Sequence, residues 1–495
     1  MVHTLIGSLP EGNTALYCFC GPNGPGDVME SGNKTISENA QRELESIFGD
    51  DLVSSPEEMT VHGYDAANLI FRPDLVAYVR DRDQVAAALK LANRELFPVV
   101  PRGAGVGFSG GALPVRGGLV LNFTRMNRIL AIDTENLTAD VEPGVVTGDL
   151  HSEVEKHDLF YPPDPASSDY CTIGGNIAEN AGGPRAFKYG VTEHFVLGLE
   201  AITPTGEVIN AGGRTIKNVA GYNLLKLLIG SEGTLGVVTK AILRLIPKPK
   251  TERTTRLFFP DNDSAARCVA AIIAARVVPA TLEFVDEASL GAVRDNLGAE
   301  IDPAHKAMLL VKVDGHPAAV EDEAREVAEI ARSLGCSEVS VSSGPEEEDD
   351  IWRLRNNLSP SVGKLANTKL NEDVVVPRSR IPDLMRAAAG IADRRRLLIV
   401  NFGHSGDGNI HVNFMYDRFD ADERSRVEQG VRELMEEVVR LEGAVSGEHG
   451  IGVMKQDFLG LQYDGPTLEV MRTIKRSLDP NNILNPGKIL PEEEA

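Results

Sequence analysis

Two stretches of the C-terminal half hold side chains that could do chemistry: Gly403-His404-Ser405-Gly406-Asp407-Gly408-Asn409-Ile410-His411-Val412-Asn413, and Gly447-Glu448-His449-Gly450. Two neutral imidazoles and a carboxylate form a ligand set suited to a divalent metal. His449 sits directly beside the carboxylate and is left to move protons. A lone histidine near a turn is usually a satisfied polar group. Two of them, with Glu448 and His449 in view, mark a metal or catalytic cluster instead.

Something must bring these groups together. Gly406-Asp407-Gly408-Asn409 is a strong turn signal, flanked by strand-like residues 397–402 and 412–415. The pattern predicts a hairpin whose two shoulders join His404 to His411. Residues 421–442 read as a helix with Val427, Val431, Leu434, Met435 and Val438 on one face. Upstream, a helix over 263–277, a strand over 307–313 and a helix over 318–334 alternate. That alternation suggests an α/β sandwich, helices packed on a sheet. Ile246-Pro247-Lys248-Pro249-Lys250 is the boundary with the first half. There Asp83 is placed to cap a helix through Val85, Ala88, Leu89 and Ala92. Short strands are expected at 97–101, 118–122, 139–142 and 197–202, with a strand pair between Gly233 and Leu245. The whole is α+β: an arm (1–50), a first domain (51–248) and a second (249–495).

At 495 residues the chain exceeds one core and has room for a deep ligand site. A formal charge of −23 argues against nucleic acid, which needs dense Lys and Arg. Cys18, Cys20, Cys171, Cys268 and Cys336 are scattered and form no disulfide framework, so plain thiols in a reducing compartment are expected. No apolar run approaches the ~20 residues that span a bilayer, and the first residues lack a signal-peptide pattern. A cytoplasmic protein is the expectation.

Gly105-Val106-Gly107-Phe108-Ser109-Gly110 matches G-x-G-x-x-G after a strand. A dinucleotide fold needs a helix next, whereas here Gly111 to Gly118, with Pro114, lead into another strand. The Rossmann reading fails on that context. Backbone N–H groups without Cβ crowding can still wrap a pyrophosphate. Two more such stretches follow: Pro162-Pro163-Asp164-Pro165 with Thr172 to Gly183, and Gly230 to Gly236. Three in one domain imply a large cofactor.

Pro101-Arg102-Gly103-Ala104-Gly105, the block from Pro163 to Gly183, and Gly230 to Gly236 resemble the FAD-binding domain of vanillyl-alcohol-oxidase-type flavoproteins. The second half resembles the FAD-linked oxidase C-terminal domain. The resemblance spans residues 50–490 and is nearest to D-lactate, glycolate and D-2-hydroxyglutarate dehydrogenases, D-lactate dehydrogenase first. It implies a two-part FAD-binding domain, a ferredoxin-like α/β-sandwich substrate domain and a C-terminal helical cap. It places FAD along Pro101, Arg102, Gly103, Ala104, Gly105, Val106, Gly107, Ser109 and Gly110, and along Pro143, Gly144, Pro163, Asp164, Pro165 and Ser168. Ile173, Gly174, Gly175, Asn176, Asn180, Gly183, Glu232, Gly233, Gly236, Val238 and Asn485 complete the implied cofactor set. Some relatives attach FAD through a loop histidine. No His lies between His62 and His151, or between His157 and His194, so non-covalent FAD is implied.

The same resemblance makes His404, His411 and Glu448 metal ligands, His449 the catalytic base and Asn413 a substrate contact. Zn²⁺, Mn²⁺ and Fe²⁺ all suit these ligands. Arg355 would grip the substrate carboxylate bidentately, a surface ion pair being the alternative. Ser359 would offer a hydroxyl nearby. Lys369 is a weaker candidate, because the Lys that reads a second carboxylate in hydroxyglutarate-type relatives aligns closer to Asn371. The implied reaction is oxidation of a D-2-hydroxy acid, D-lactate first, to the 2-oxo acid. The cysteines show no iron–sulfur pattern, so electrons leave to an external acceptor such as an electron-transfer flavoprotein or an iron–sulfur subunit. The flavin subunit of a glycolate-oxidising complex, an oxidase reacting with O₂ and a non-catalytic flavin-binding subunit are the competing readings. A homodimer and peripheral membrane attachment through a partner are compatible with all of them.

Overall fold

The computed structural model describes residues 35–298 and 301–491; Cys18, Cys20 and the acidic tail lie outside them. Leu52–Val53, Leu75–Tyr78, Leu119–Asn122 and Val99–Arg102 form the first sheet in that order, the last three parallel. Leu75, Ala77, Leu119 and Leu121 bury against the helices Glu38–Phe48 and Arg82–Glu95. Asp81, not Asp83, caps the second helix, its carboxylate accepting from the Gln84 N–H. Asp83 is the second residue of the helix, where its charge suits the helix dipole. The chain returns here after the seven-stranded sheet of the second half: Ile483 and Leu484 enter this core, and Leu484 bridges to Val99.

A second sheet is antiparallel, in the order Ile129–Asp133, Thr138–Val141, Val237–Arg244, Val196–Ile202 and Val208–Gly212. The strand pair expected between Gly233 and Leu245 is a single strand. Gly230, Glu232 and Gly233 all have positive φ and make a tight turn, and only Val237–Arg244 is extended, alternating inward and outward.

The second half is one seven-stranded sheet, antiparallel throughout: Glu338–Val341, Thr251–Phe259, Ala307–Gly315, Thr281–Val285, Leu398–His404, Asn409–Tyr416 and Thr368–Val375. Side chains alternate between its faces, as a pleated strand requires. Leu309, Val311, Ile410, Val412 and Phe414 pack under the helices Asn262–Ala274, Pro317–Ser333, Ile381–Arg395 and Ala421–Arg440. Met308, Leu310, Val400, Phe402 and Met415 pack under Glu287–Leu297, Pro345–Asn356 and Leu358–Val362. The expected α/β sandwich and hairpin are therefore present. Among the described residues no helix is long and apolar enough to cross a membrane.

Phe414 is fully buried, and Gly430 leaves room for its ring under the long helix. Phe414→Ala is expected to cost roughly 3–5 kcal/mol, read as a lower urea midpoint with an unchanged slope.

Candidate active site

The hairpin fixes the centre of the site through its register. Glu283 lies directly opposite His404 on one side of the pair, and Asp373 directly opposite His411 on the other. Gly408 makes the turn at φ +93, and a Cβ there would lie 1.9 Å from the Val376 carbonyl oxygen, so only glycine fits. His404 and His411 end with ring centroids 5.3 Å apart. His404 Nδ1 bonds Glu283 Oε1 at 2.5 Å, turning Nε2 inward. His411 Nδ1 faces Asp373 Oδ1 at 3.6 Å.

Glu448 closes the cluster from a separate loop. Its Oε1 lies 3.5 Å from His404 Nε2, 3.6 Å from His411 Nε2 and 3.9 Å from His449 Nε2. Two ligands 2.1 Å from a tetrahedral ion stand about 3.4 Å apart, so the donor set fits a small divalent cation. Asp373, His411, Glu448 and His449 also hold ligand atoms within 4.8 Å of one another. Both carboxylate oxygens of Asp373 are, however, already engaged by protein donors. Its Oδ2 accepts the backbone N–H of Gly447, Glu448 and His449, and its Oδ1 the Asn409 amide.

Charge follows this geometry. Burial lowers the His411 pKa to about 3, so the ring is neutral and its lone pair available. Burial alone would lower His404 too, but the Glu283 and Glu448 carboxylates hold it well above the usual range. Burial would raise Glu283, yet His404 and Arg355 bring it down to about 2. His449 is stacked between two rings: Phe108 of the first glycine loop, 4.9 Å away, and His411, 5.4 Å away.

Glu448 and His449 lie on the wall of a cavity of about 980 Å³. The rest of that wall includes Pro101, Arg102, Gly103, Ala104, Gly105, Val106 and Gly107, then Pro143, Asp164, Pro165, Ser168, Gly174, Gly175 and Asn176, and finally Glu232, Gly233, Gly236 and Val238. Buried Arg102 Nη1 has no hydrogen-bond partner. A cationic donor beside exposed glycine backbone fits a pyrophosphate-bearing cofactor such as FAD.

Eight implied cofactor positions stand behind the wall instead. Ser109 accepts the Val453 N–H through its carbonyl, and Gly144 donates to the Met126 carbonyl. Asn485 donates to the carbonyls of Gly111 and Glu232, and Asn180 caps the Glu193 N–H. Ile173 is core, Pro163 accepts from His151, Gly183 packs on the Asp164 carbonyl and Gly110 on Val453. They shape the loops rather than line the cavity.

Of the substrate candidates, Arg355 and Ser359 line the cavity. Arg355 makes not a surface pair but a buried one, its Nε donating to Glu283 Oε2 at 2.6 Å. Lys369 donates to Ser359 Oγ at 2.5 Å. Asn413 is not brought to the cavity: it is fully buried, and its amide donates to the carbonyls of Val400 and His411. Sequence reasoning missed Glu283, Asp373, Phe108 and Arg185, a cavity cation paired with Asp164. Phe108 lay within the glycine motif, and Asp373 stood four residues from Lys369. Glu283 carried no local signal.

The chain superposes on p-cresol methylhydroxylase over 92% of its own length and 97% of that chain, with a TM-score of 0.77 at 19% identity. It superposes likewise on 4-ethylphenol oxidase from Gulosibacter chungangensis, with a TM-score of 0.75 at 18% identity over 95% and 99% of the two chains. The fold is thus that of the vanillyl-alcohol-oxidase-type flavoproteins. Residues 73–212 match the FAD binding domain, and 248–489 the C-terminal domain of FAD linked oxidases. Glycolate oxidase subunit GlcD of Bacillus subtilis is 41% identical over 89% of this chain and 96% of that protein. D-lactate dehydrogenase of Archaeoglobus fulgidus is 37% identical over 82% and 89%. The chain belongs to the FAD-linked oxidoreductase family.

Glu283 sits at about 2 in the folded protein, below its unfolded value. Its ionised form therefore adds stability that is complete above pH ~4.3 and lost as pH falls toward ~2. Glu283→Gln is expected to lower stability at neutral pH by roughly 3 kcal/mol and to flatten the acid limb of the pH–stability profile, measured by denaturant titration at several pH values.

Proposed function

We propose that this protein is an FAD-dependent dehydrogenase of small 2-hydroxy acids that works with one divalent ion, Zn²⁺, Mn²⁺ or Fe²⁺. One observation carries the reading: three imidazole Nε2 atoms converge on Glu448 Oε1 at the wall of a cavity built from glycine loops. The similarity to glycolate oxidase subunits supports glycolate as the first substrate, ahead of the D-lactate that the motifs put first.

His404, His411 and Glu448 would hold the ion, which supplies Lewis-acid polarisation of a hydroxyl when bound. Glu283 orients the His404 imidazole from behind, and Asp373 holds the backbone that carries Glu448. FAD supplies the hydride acceptor, with Arg102 and the glycine backbones as its cradle. His151 also lines the cavity, but its Nε2 is engaged by the Pro163 carbonyl, which supports non-covalent attachment. Arg355, fixed through Nε by Glu283, offers its guanidinium to the substrate carboxylate. His449, aligned by the rings of Phe108 and His411, removes the hydroxyl proton. Ser359 bounds the substrate end of the cavity, with Lys369 engaged on it rather than free for a second carboxylate. That favours a short monoacid. Electrons then pass to a separate acceptor subunit, in keeping with the subunit names of the Bacillus subtilis and Escherichia coli relatives. A cytoplasmic setting, peripheral to a membrane through that partner, suits the reading.

Anaerobic glycolate or D-lactate is expected to bleach the flavin absorbance, with a chelator abolishing and added metal restoring the effect. Indifference of the flavin to glycolate, D-lactate and D-2-hydroxyglutarate alike would reject the reading. His449→Gln should slow bleaching roughly 10²–10⁴-fold while FAD stays bound. Asp373→Asn should weaken metal binding roughly 10–100-fold, measured by chelator competition.

A further inference from the structure

The loop carrying Glu448 and His449 is gripped by carboxylates from two parts of the molecule. Asp373 Oδ2, on the seven-stranded sheet, accepts the N–H of Gly447 at 2.8 Å, Glu448 at 2.7 Å and His449 at 3.0 Å. Glu232, in the third glycine turn, takes the other end. Its Oε1 accepts the Ile451 N–H and its Oε2 the Gly452 N–H, both at 2.7 Å. Gly450 passes between the two grips at φ +78, where a Cβ would lie 2.1 Å from Glu179 Oε2 and 2.8 Å from Glu232 Oε1.

Glu232 is itself buried and held. Its backbone stands at positive φ, and its carbonyl accepts the Asn485 amide, which also binds the Gly111 carbonyl of the first glycine loop. Two charge-assisted N–H bonds in a buried setting are short, strong and directional. Glu232, Gly233 and Gly236 line the cofactor cavity, so whatever packs on that turn sets where this carboxylate points. Glu179 lines the same wall, but no backbone N–H of the loop binds it, and burial with the nearby Glu232 charge holds its pKa well above the usual range.

We infer that Glu232 is a positioning residue that couples occupancy of the cofactor cavity to the order of the loop bearing Glu448 and His449. A ligand seated against the turn restrains Glu232, Glu232 restrains residues 451–452, and the Asp373 grip then fixes Glu448 and His449 between two anchors. By linkage, ordering the loop also tightens the cofactor. The inference takes from the proposed function only the roles of Glu448 and His449.

Hydrogen–deuterium exchange on FAD-loaded and flavin-stripped protein tests it without turnover. Loading FAD should slow exchange of the amides at 447–452 in the wild type by about tenfold, within the usual range of couplings between sites. Glu232→Gln should bind FAD with the wild-type absorbance spectrum yet lose this slowing, and its kcat should fall with KM little changed. Glu179→Gln should keep the slowing. Equal slowing in wild type and Glu232→Gln, no slowing in the wild type, or loss of slowing in Glu179→Gln would each overturn the inference. Outright loss of FAD by Glu232→Gln would also overturn it, making Glu232 a cofactor ligand. If Glu232→Gln does not fold, Glu232→Asp, which retracts the same charge by one methylene, is judged by the same criteria. A flavin that responds to no hydroxy acid would count against the proposed function and leave the exchange result standing.

Discussion

The site depends on strand register. On one face of the seven-stranded sheet, Glu283 opposes His404 and Asp373 opposes His411, so each imidazole has a carboxylate across the ladder. Side chains on a strand alternate with a period of two, and a slip of one residue turns every one of them to the other face. Such a slip would send both histidines into the apolar layer beneath the long helices. The apolar set guards against it: Ile410, Val412 and Phe414 must bury on that side, which commits His411 to the other. Hydrophobic burial thereby places the polar residues.

A cluster this acidic needs internal compensation. Glu283, Asp373 and Glu448 face His404, Arg355 and the backbone N–H groups of the 447–449 stretch. Arg355 thus does two things at once, neutralising Glu283 from a covering helix while lining the cavity. Removing one member of such a buried set strands its partner, which is far more costly than never having built the pair. Lys455 adds a fixed positive charge below, donating to the carbonyls of Asp373 and Val445.

Local signals were readable and distant partnerships were not. The hairpin announced itself through Gly406 to Asn409 between apolar runs, and the three glycine stretches through their density. Both are properties of a few adjacent residues. Glu283 stands far along the chain from His404, and nothing near it distinguishes a buried charge partner from any strand glutamate. Asn413 shares a face with His411, but the backbone carbonyls around it capture its amide. Glycine density could not separate the positions that line the cavity from those, such as Gly144 and Gly183, that let loops pack behind it. The Asp81 cap was missed because Asp81 and Asp83 both precede the apolar spacing, and only the backbone angle at Asp81 decides between them.

The return of Ile483 and Leu484 to the parallel sheet bears on how the molecule is made. Val99 gains its neighbour Leu484 only after every strand of the seven-stranded sheet has been made. Domains usually fold from the N-terminus as they emerge, but here part of the first core comes from a segment that follows the seven-stranded sheet in the chain. A nascent chain halted before Ile483 lacks that neighbour for Val99, so the first core is incomplete however much of the seven-stranded sheet has already been made.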